Sequence, residues 1–255
     1  MKKTNPPRIL LEHHLKTLRL SVFLREHRKI ATQCASDKCD YETYLLRLSE
    51  QELLEREERG TERRIRAAKF PVLKTMADFD FGAARSLNKK QLFELARCEW
   101  IDRRENVIML GNPGTGKTHL SIALGLAACQ RGYHVKFVTA AGLVNELVEA
   151  RNEKRLLKLQ KQLAKVSLLL IDELGYIPFS KTGAELLFET FSQRYERGST
   201  IVTSNLPFEE WTSVLESERL TGALLDRLTH RVHILPIEEE SYRLSQSKAR
   251  KRKRK

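Results

Sequence analysis

Between Gly111 and His119 the chain reads GNPGTGKTH, with an apolar run before it and a helical pattern after it. Gly111, Gly116, Lys117 and Thr118 satisfy the spacing G-x-x-x-x-G-K-[ST]. In such a loop the glycines let the backbone wrap closely around phosphate oxygens at a helix N-terminus. The whole loop is a candidate nucleotide site: Gly111, Asn112, Pro113, Gly114, Thr115, Gly116, Lys117, Thr118 and His119. Lys117 would reach the β- and γ-phosphates, and the Thr118 hydroxyl would ligate Mg2+. Further on, Leu168-Leu169-Leu170-Ile171-Asp172-Glu173 is an apolar strand ending in two carboxylates. Asp172 suits the metal's hydration shell, and Glu173 suits the general base that orients and deprotonates an attacking water. A small-molecule phosphotransferase must exclude water, so the adjacent glutamate favours hydrolysis. Thr203-Ser204-Asn205 closes a later apolar run, where the Asn205 amide could bond the γ-phosphate or the lytic water; a turn before Pro207 is the plainer use.

These residues need a scaffold, and the pattern supplies one. From Asn106 onward, short apolar runs at 107–110, 135–139, 168–171, 200–203 and 232–235 alternate with helical stretches near 117–130, 141–164, 183–197 and 208–229. Short buried strands alternating with helices imply an α/β fold with a parallel sheet covered on both faces. Residues 72–105 form a lead-in, where Phe79 and Phe81 are candidates to flank a nucleotide base; Trp100 and Trp211 read as core. Residues 1–70 read as a small all-helical domain. Leu11, Leu15, Leu18 and Val22 set one helix over 8–29, and Asp40 caps another carrying Tyr41, Leu45 and Leu48 on one face. Gly60 is a candidate break in that second helix, and Phe70-Pro71 closes the region. The expected division is 1–70 helical, 71–244 catalytic and 245–255 a basic tail.

The chain has 255 residues and a formal net charge of +13, which points to a polyanionic partner. Its distribution says more. Residues 248–255, KARKRKRK, carry seven of those charges; residues 1–70 hold 16 Lys/Arg against 11 Asp/Glu; residues 71–247 hold 23 against 22. Inside that balanced segment, RNEKRLLKLQKQLAK concentrates Arg151, Lys154, Arg155, Lys158, Lys161 and Lys165 against one Glu, beside the stripe Leu156, Leu159 and Leu163. A basic face without aromatic residues fits contacts to DNA phosphates; a solvated amphipathic helix is the bland alternative. The polybasic tail fits a DNA-binding arm or an import signal equally. Four cysteines make no disulfide scaffold, and Cys34, Cys39 and His27 match no common zinc spacing. No secretory signal and no apolar run of membrane length is evident, so the expected setting is the cytoplasm, without a membrane partner.

Together, GNPGTGKTH, LLLIDELG, IVTSN and LLDRLTHR resemble the AAA+ ATPases, in the DnaA/DnaC-type branch of initiators and helicase loaders. LLEHHLKTLRL, YETYLLRLSEQELLERE, RRIRAAKFPVLKTMADFDF and ELGYIPFS narrow the resemblance to IstB-like transposition helpers of bacterial insertion sequences and their loader cousins, over about Ile9 to Leu244. The resemblance implies a P-loop NTPase core with a five-stranded parallel sheet, ATP and Mg2+ as ligands, ATP hydrolysis, and homo-oligomers formed with ATP. It implies duplex DNA and the transposase of the same element as partners, the latter gripped by the amino-terminal helices; the alternative is a DnaC-like loader of a replicative helicase. It also implies an arginine that reaches a neighbouring subunit's nucleotide, at Arg227 or its neighbour Arg231. Only about twenty residues follow Leu235, so no C-terminal helical lid is expected, with Arg243 as a partial substitute for a lid arginine.

Overall fold

The structure, a computed structural model, describes residues 6–237. Arg243, the basic tail and the stretch where a lid would stand lie outside the described residues. Within them, contacts divide the chain between Arg63 and Arg64.

In the first unit, α1 (Pro6–Thr17) and α2 (Ser21–Ser36) occupy the stretch that the leucine spacing predicts as one helix. Arg19 takes a left-handed φ of 56°, and the Leu20 N–H returns to the Leu15 carbonyl at 2.9 Å, closing α1 with a cap that needs no glycine. The third helix, α3 (Tyr41–Ala68), starts where Asp40 accepts the Thr43 N–H at 2.7 Å. It runs unbroken through Gly60, which is buried. Of the face expected to be apolar, Leu48 is buried with Ile30 and Cys34, whereas Tyr41 and Leu45 are exposed. Val22 N–H donates to the buried Glu52 carboxylate at 2.7 Å, tying α2 to α3.

The second unit is built on β1 (Asn106–Leu110), β2 (Val135–Thr139), β3 (Leu168–Leu174), β4 (Ser199–Ser204) and β5 (Val232–Pro236), all parallel, in the order β2-β3-β4-β1-β5. The β1 and β3 runs are largely apolar because both faces are covered; β4 is buried throughout although Ser199, Thr200, Thr203 and Ser204 carry hydroxyls. Val107, Met109, Leu168, Leu170 and Ile201 enter one core with α6 (Lys117–Gln130). Ile108, Leu169, Ile171 and Val202 enter the other. That second core is closed by α7 (Ala140–Asn152), α8 (Leu156–Ala164), α9 (Lys181–Arg194), α10 (Trp211–Leu215) and α11 (Glu218–Thr229).

Two expected long helices are each divided. The stretch 141–164 breaks at Lys154, φ 57°, with Arg155 N–H returning to Ala150 O at 2.8 Å. The stretch 208–229 breaks at Glu216, φ 55°, after a single 3-10 turn and α10. Neither break carries a Gly or Pro, and the apolar stripe resumes on the same core beyond each, so periodicity runs straight through. The lead-in contains α4 (Lys89–Leu95), capped by Asn88, and α5 (Glu99–Asp102). Trp100 and Trp211 are each 1% exposed, one in each core.

Candidate nucleotide-binding site

The C-terminal ends of β1, β3 and β4 lie side by side, and the phosphate loop leaves β1 there. Gly111 has a φ of 148°, and a Cβ on it would stand 2.2 Å from the Ile237 carbonyl oxygen, so no side chain fits. Gly116 ends the loop with φ 98°, and its Cβ would meet the Phe79 ring at 2.6 Å. The first turn of α6 then carries Lys117, Thr118 and His119.

Lys117 is 8% exposed, and its ammonium donates to the Gly111 and Asn112 carbonyls at 2.6 and 2.8 Å. Burial pulls it below the ordinary lysine range, against the opposing pull of Asp172. The Thr118 hydroxyl lies 3.0 Å from both Asp172 carboxylate oxygens. On the other side, Thr203 Oγ1 donates to Asp172 Oδ1 at 2.5 Å and accepts the Glu173 N–H at 3.0 Å. Asp172 is thereby fixed between α6 and β4 at 4% exposure. Past it the β3–β4 register shifts, and Glu173 takes a left-handed φ of 60°. Such a strand irregularity re-aims a side chain: Glu173 is exposed and lines the cavity, whereas Asp172 is buried.

That cavity, of about 550 Å3, is walled by Pro113 to His119, Glu173, Thr203, Ser204 and Asn205, and by lead-in residues including Lys74, Asp78 and Phe79. His119 Nε2 is 2.8 Å from the Thr75 carbonyl, and its ring meets Phe79 edge-on at 5.2 Å. Phe81 is absent from the lining; it stacks on Phe93 at 5.7 Å, behind Phe79. A Mg2+ ion asks for few protein ligands, because phosphates and waters complete its octahedron. Thr118 and Asp172 offer one hydroxyl and one carboxylate within bonding distance of each other, and that donor set fits.

The other sequence candidates lie elsewhere. Leu159 and Leu163 are buried and Leu156 is half-buried against the second core, so α8 turns Lys158, Lys161 and Lys165 outward around a shallow depression. Arg151 and Lys154 are exposed at the α7–α8 break, and Arg155 pairs with Glu153 and Glu149. Arg227 and Arg231 line a small cleft with Arg104, Asn106 and Thr200, at the N-terminal ends of β1 and β4.

Two residues of consequence were given no role of their own by the sequence. Thr203, rather than Asn205, makes the bonds that hold Asp172 and the Glu173 backbone; cross-strand pairing of β3 and β4 is what would have pointed to it. Arg194, 3% exposed, donates to the carbonyls of Leu163, Val166 and Ser199 at 2.8, 2.9 and 2.6 Å, stitching the end of α8 to β4.

A sequence profile of IstB-like ATP binding proteins matches residues 13–250. A protein named for insertion sequence IS5376 in Geobacillus stearothermophilus is 37% identical over 245 residues, covering 96% of this chain and 98% of its own. One named for insertion sequence IS21 in Pseudomonas aeruginosa is 38% identical over 241 residues, covering 92% and 91%. Among solved structures, AMPPCP-bound DnaA from Aquifex aeolicus superposes with a TM-score of 0.53 at 23% identity, over 70% of this chain and 55% of that one. DnaI superposes with a TM-score of 0.55 at 18% identity, over 69% and 93%. The fold is that of an AAA+ P-loop core.

Proposed function

Because this chain belongs to the family of IstB-like ATP binding proteins, we propose that it hydrolyses ATP as an assembly switch, oligomerising on duplex DNA and recruiting or stimulating the transposase of its insertion sequence. The observation that carries hydrolysis is the division of labour within Asp172-Glu173: one carboxylate buried between two threonine hydroxyls, the next turned into the cavity by a left-handed backbone. A bound triphosphate would lie against the backbone N–H groups of the loop, and Lys117 would exchange its two carbonyl partners for phosphate oxygens. Mg2+, held by Thr118 and Asp172, would neutralise charge on the phosphates. Glu173 would take the proton of the water that attacks the γ-phosphorus as the bond to the β-phosphate oxygen breaks, giving ADP and phosphate. Asn205, on the same wall, would orient that water.

Arg227 must act from a second copy. It sits at the start of strands whose far ends carry the phosphate loop. Six residues of β4 at about 3.3 Å each separate the two sites by roughly 17–20 Å, beyond the reach of an arginine side chain. A cation supplied in trans stabilises charge in the transition state and makes hydrolysis depend on assembly. The insertion-sequence names of the relatives favour a transposase partner over a replicative helicase. The test compares ATP turnover and ATP-dependent retention on duplex DNA in the wild type and Lys117→Ala. Loss of both in the variant supports the reading, and unchanged turnover in Lys117→Ala contradicts it.

A further inference from the structure

Arg227 does not hang free at its cleft. Its guanidinium carbon lies 4.7 Å from the centroid of the Phe188 ring, and its Nη1 donates to the Ala223 carbonyl at 2.7 Å. Phe188 is half-buried on α9 and packs its ring against the second core; Arg227 and Ala223 are one turn apart on α11, the helix beside it. The ring and the carbonyl together restrict where the guanidinium can sit. An arginine left in solvent spreads over many rotamers, and ordering it on demand opposes whatever contact it makes. A stacked arginine is already ordered.

We infer that Phe188 is a positioning residue for the trans-acting Arg227, a platform that holds the cation in place for the nucleotide of a second copy. This rests on the reading of Arg227 given above. Neither residue belongs to the nucleotide cavity of its own chain. A change at Phe188 therefore removes no group from that cavity, and pairing it with a change at Arg227 separates its effect on the arginine from its packing against the second core.

The experiment is a double-mutant cycle in the full chain, reading kcat and KM for ATP in the presence of duplex DNA. A cation–π contact of ordinary size converts to a roughly two- to five-fold fall in kcat for Phe188→Leu, with KM unchanged. Phe188→Trp, which keeps a π face, should turn over like the wild type. In an Arg227→Ala background, Phe188→Leu should cost nothing further. The proposal is overturned if Phe188→Leu matches the wild type while Arg227→Ala is impaired. It is overturned equally if the Phe188→Leu loss persists in full without Arg227, or if Phe188→Trp is as impaired as Phe188→Leu. If Arg227→Ala itself turns over normally, the trans reading falls, and the platform with it.

Discussion

At the nucleotide cavity two neighbouring carboxylates are given opposite environments by one backbone irregularity. Asp172 ends the regular part of β3, where Thr118 and Thr203 hold it, and Glu173 follows at φ 60° with its side chain on the cavity wall. Exchanging Glu173 for Gln keeps the shape and removes the proposed base. Turnover should fall about 10²- to 10⁴-fold while ATP affinity holds, and the protein should stay trapped on DNA. Stopped-time phosphate release with a parallel DNA-retention assay checks this. Loss of DNA binding in that variant would mean that the switch runs in the opposite direction. The placement of the loop, Asp172 and Glu173 at neighbouring strand ends was legible from residue types and spacing. Thr203 was not, since its role arises from strand register, and a threonine in an apolar strand looks like any other.

Among the helices, α8 is the element whose placement matters most for a polyanion. Leu156, Leu159 and Leu163 face the core, Lys158, Lys161 and Lys165 face out, and Arg194 ties the end of α8 to β4 through three carbonyls. Among the described residues no carboxylate pairs with that guanidinium, and burial lowers it to about 10. Arg194→Met should leave those carbonyls unpaired and destabilise the fold by about 3 kcal/mol, read by urea denaturation; a change under about 1 kcal/mol would deny it a structural role. Replacing Lys158, Lys161 and Lys165 with Ala should leave stability nearly unchanged. It should weaken duplex binding and reduce the slope of log K against log salt by about 0.9 for each phosphate no longer neutralised, that is by roughly 3 in all. An unchanged slope would place the DNA-binding face elsewhere. β1 and β3 were legible as apolar runs buried on both faces, and the other strands by their regular alternation with helical stretches. The breaks at Arg19, Lys154 and Glu216 were not, because each is a left-handed turn at a residue without turn preference, closed by backbone hydrogen bonds alone.

Across the whole chain, the charge of +13 resolves into a nearly balanced nucleotide-binding segment, with Lys158, Lys161 and Lys165 exposed together, and basic ends. The same segment separates its phosphate loop from Arg227 by the length of the sheet; on the proposed reading, one copy holds the base and the metal ligands while a second supplies the cation. Turnover should accordingly rise more steeply than linearly with protein concentration below the assembly threshold. The most direct test mixes two variants. Copies with Glu173→Gln keep Arg227, copies with Arg227→Ala keep Glu173, and each population alone should be nearly inactive while still binding ATP. Mixed in equal amounts with duplex DNA, random pairing rebuilds roughly a quarter of the composite sites, and ATP hydrolysis should return to about that fraction of wild type. A mixture that stays as inactive as its components would contradict a site shared between copies.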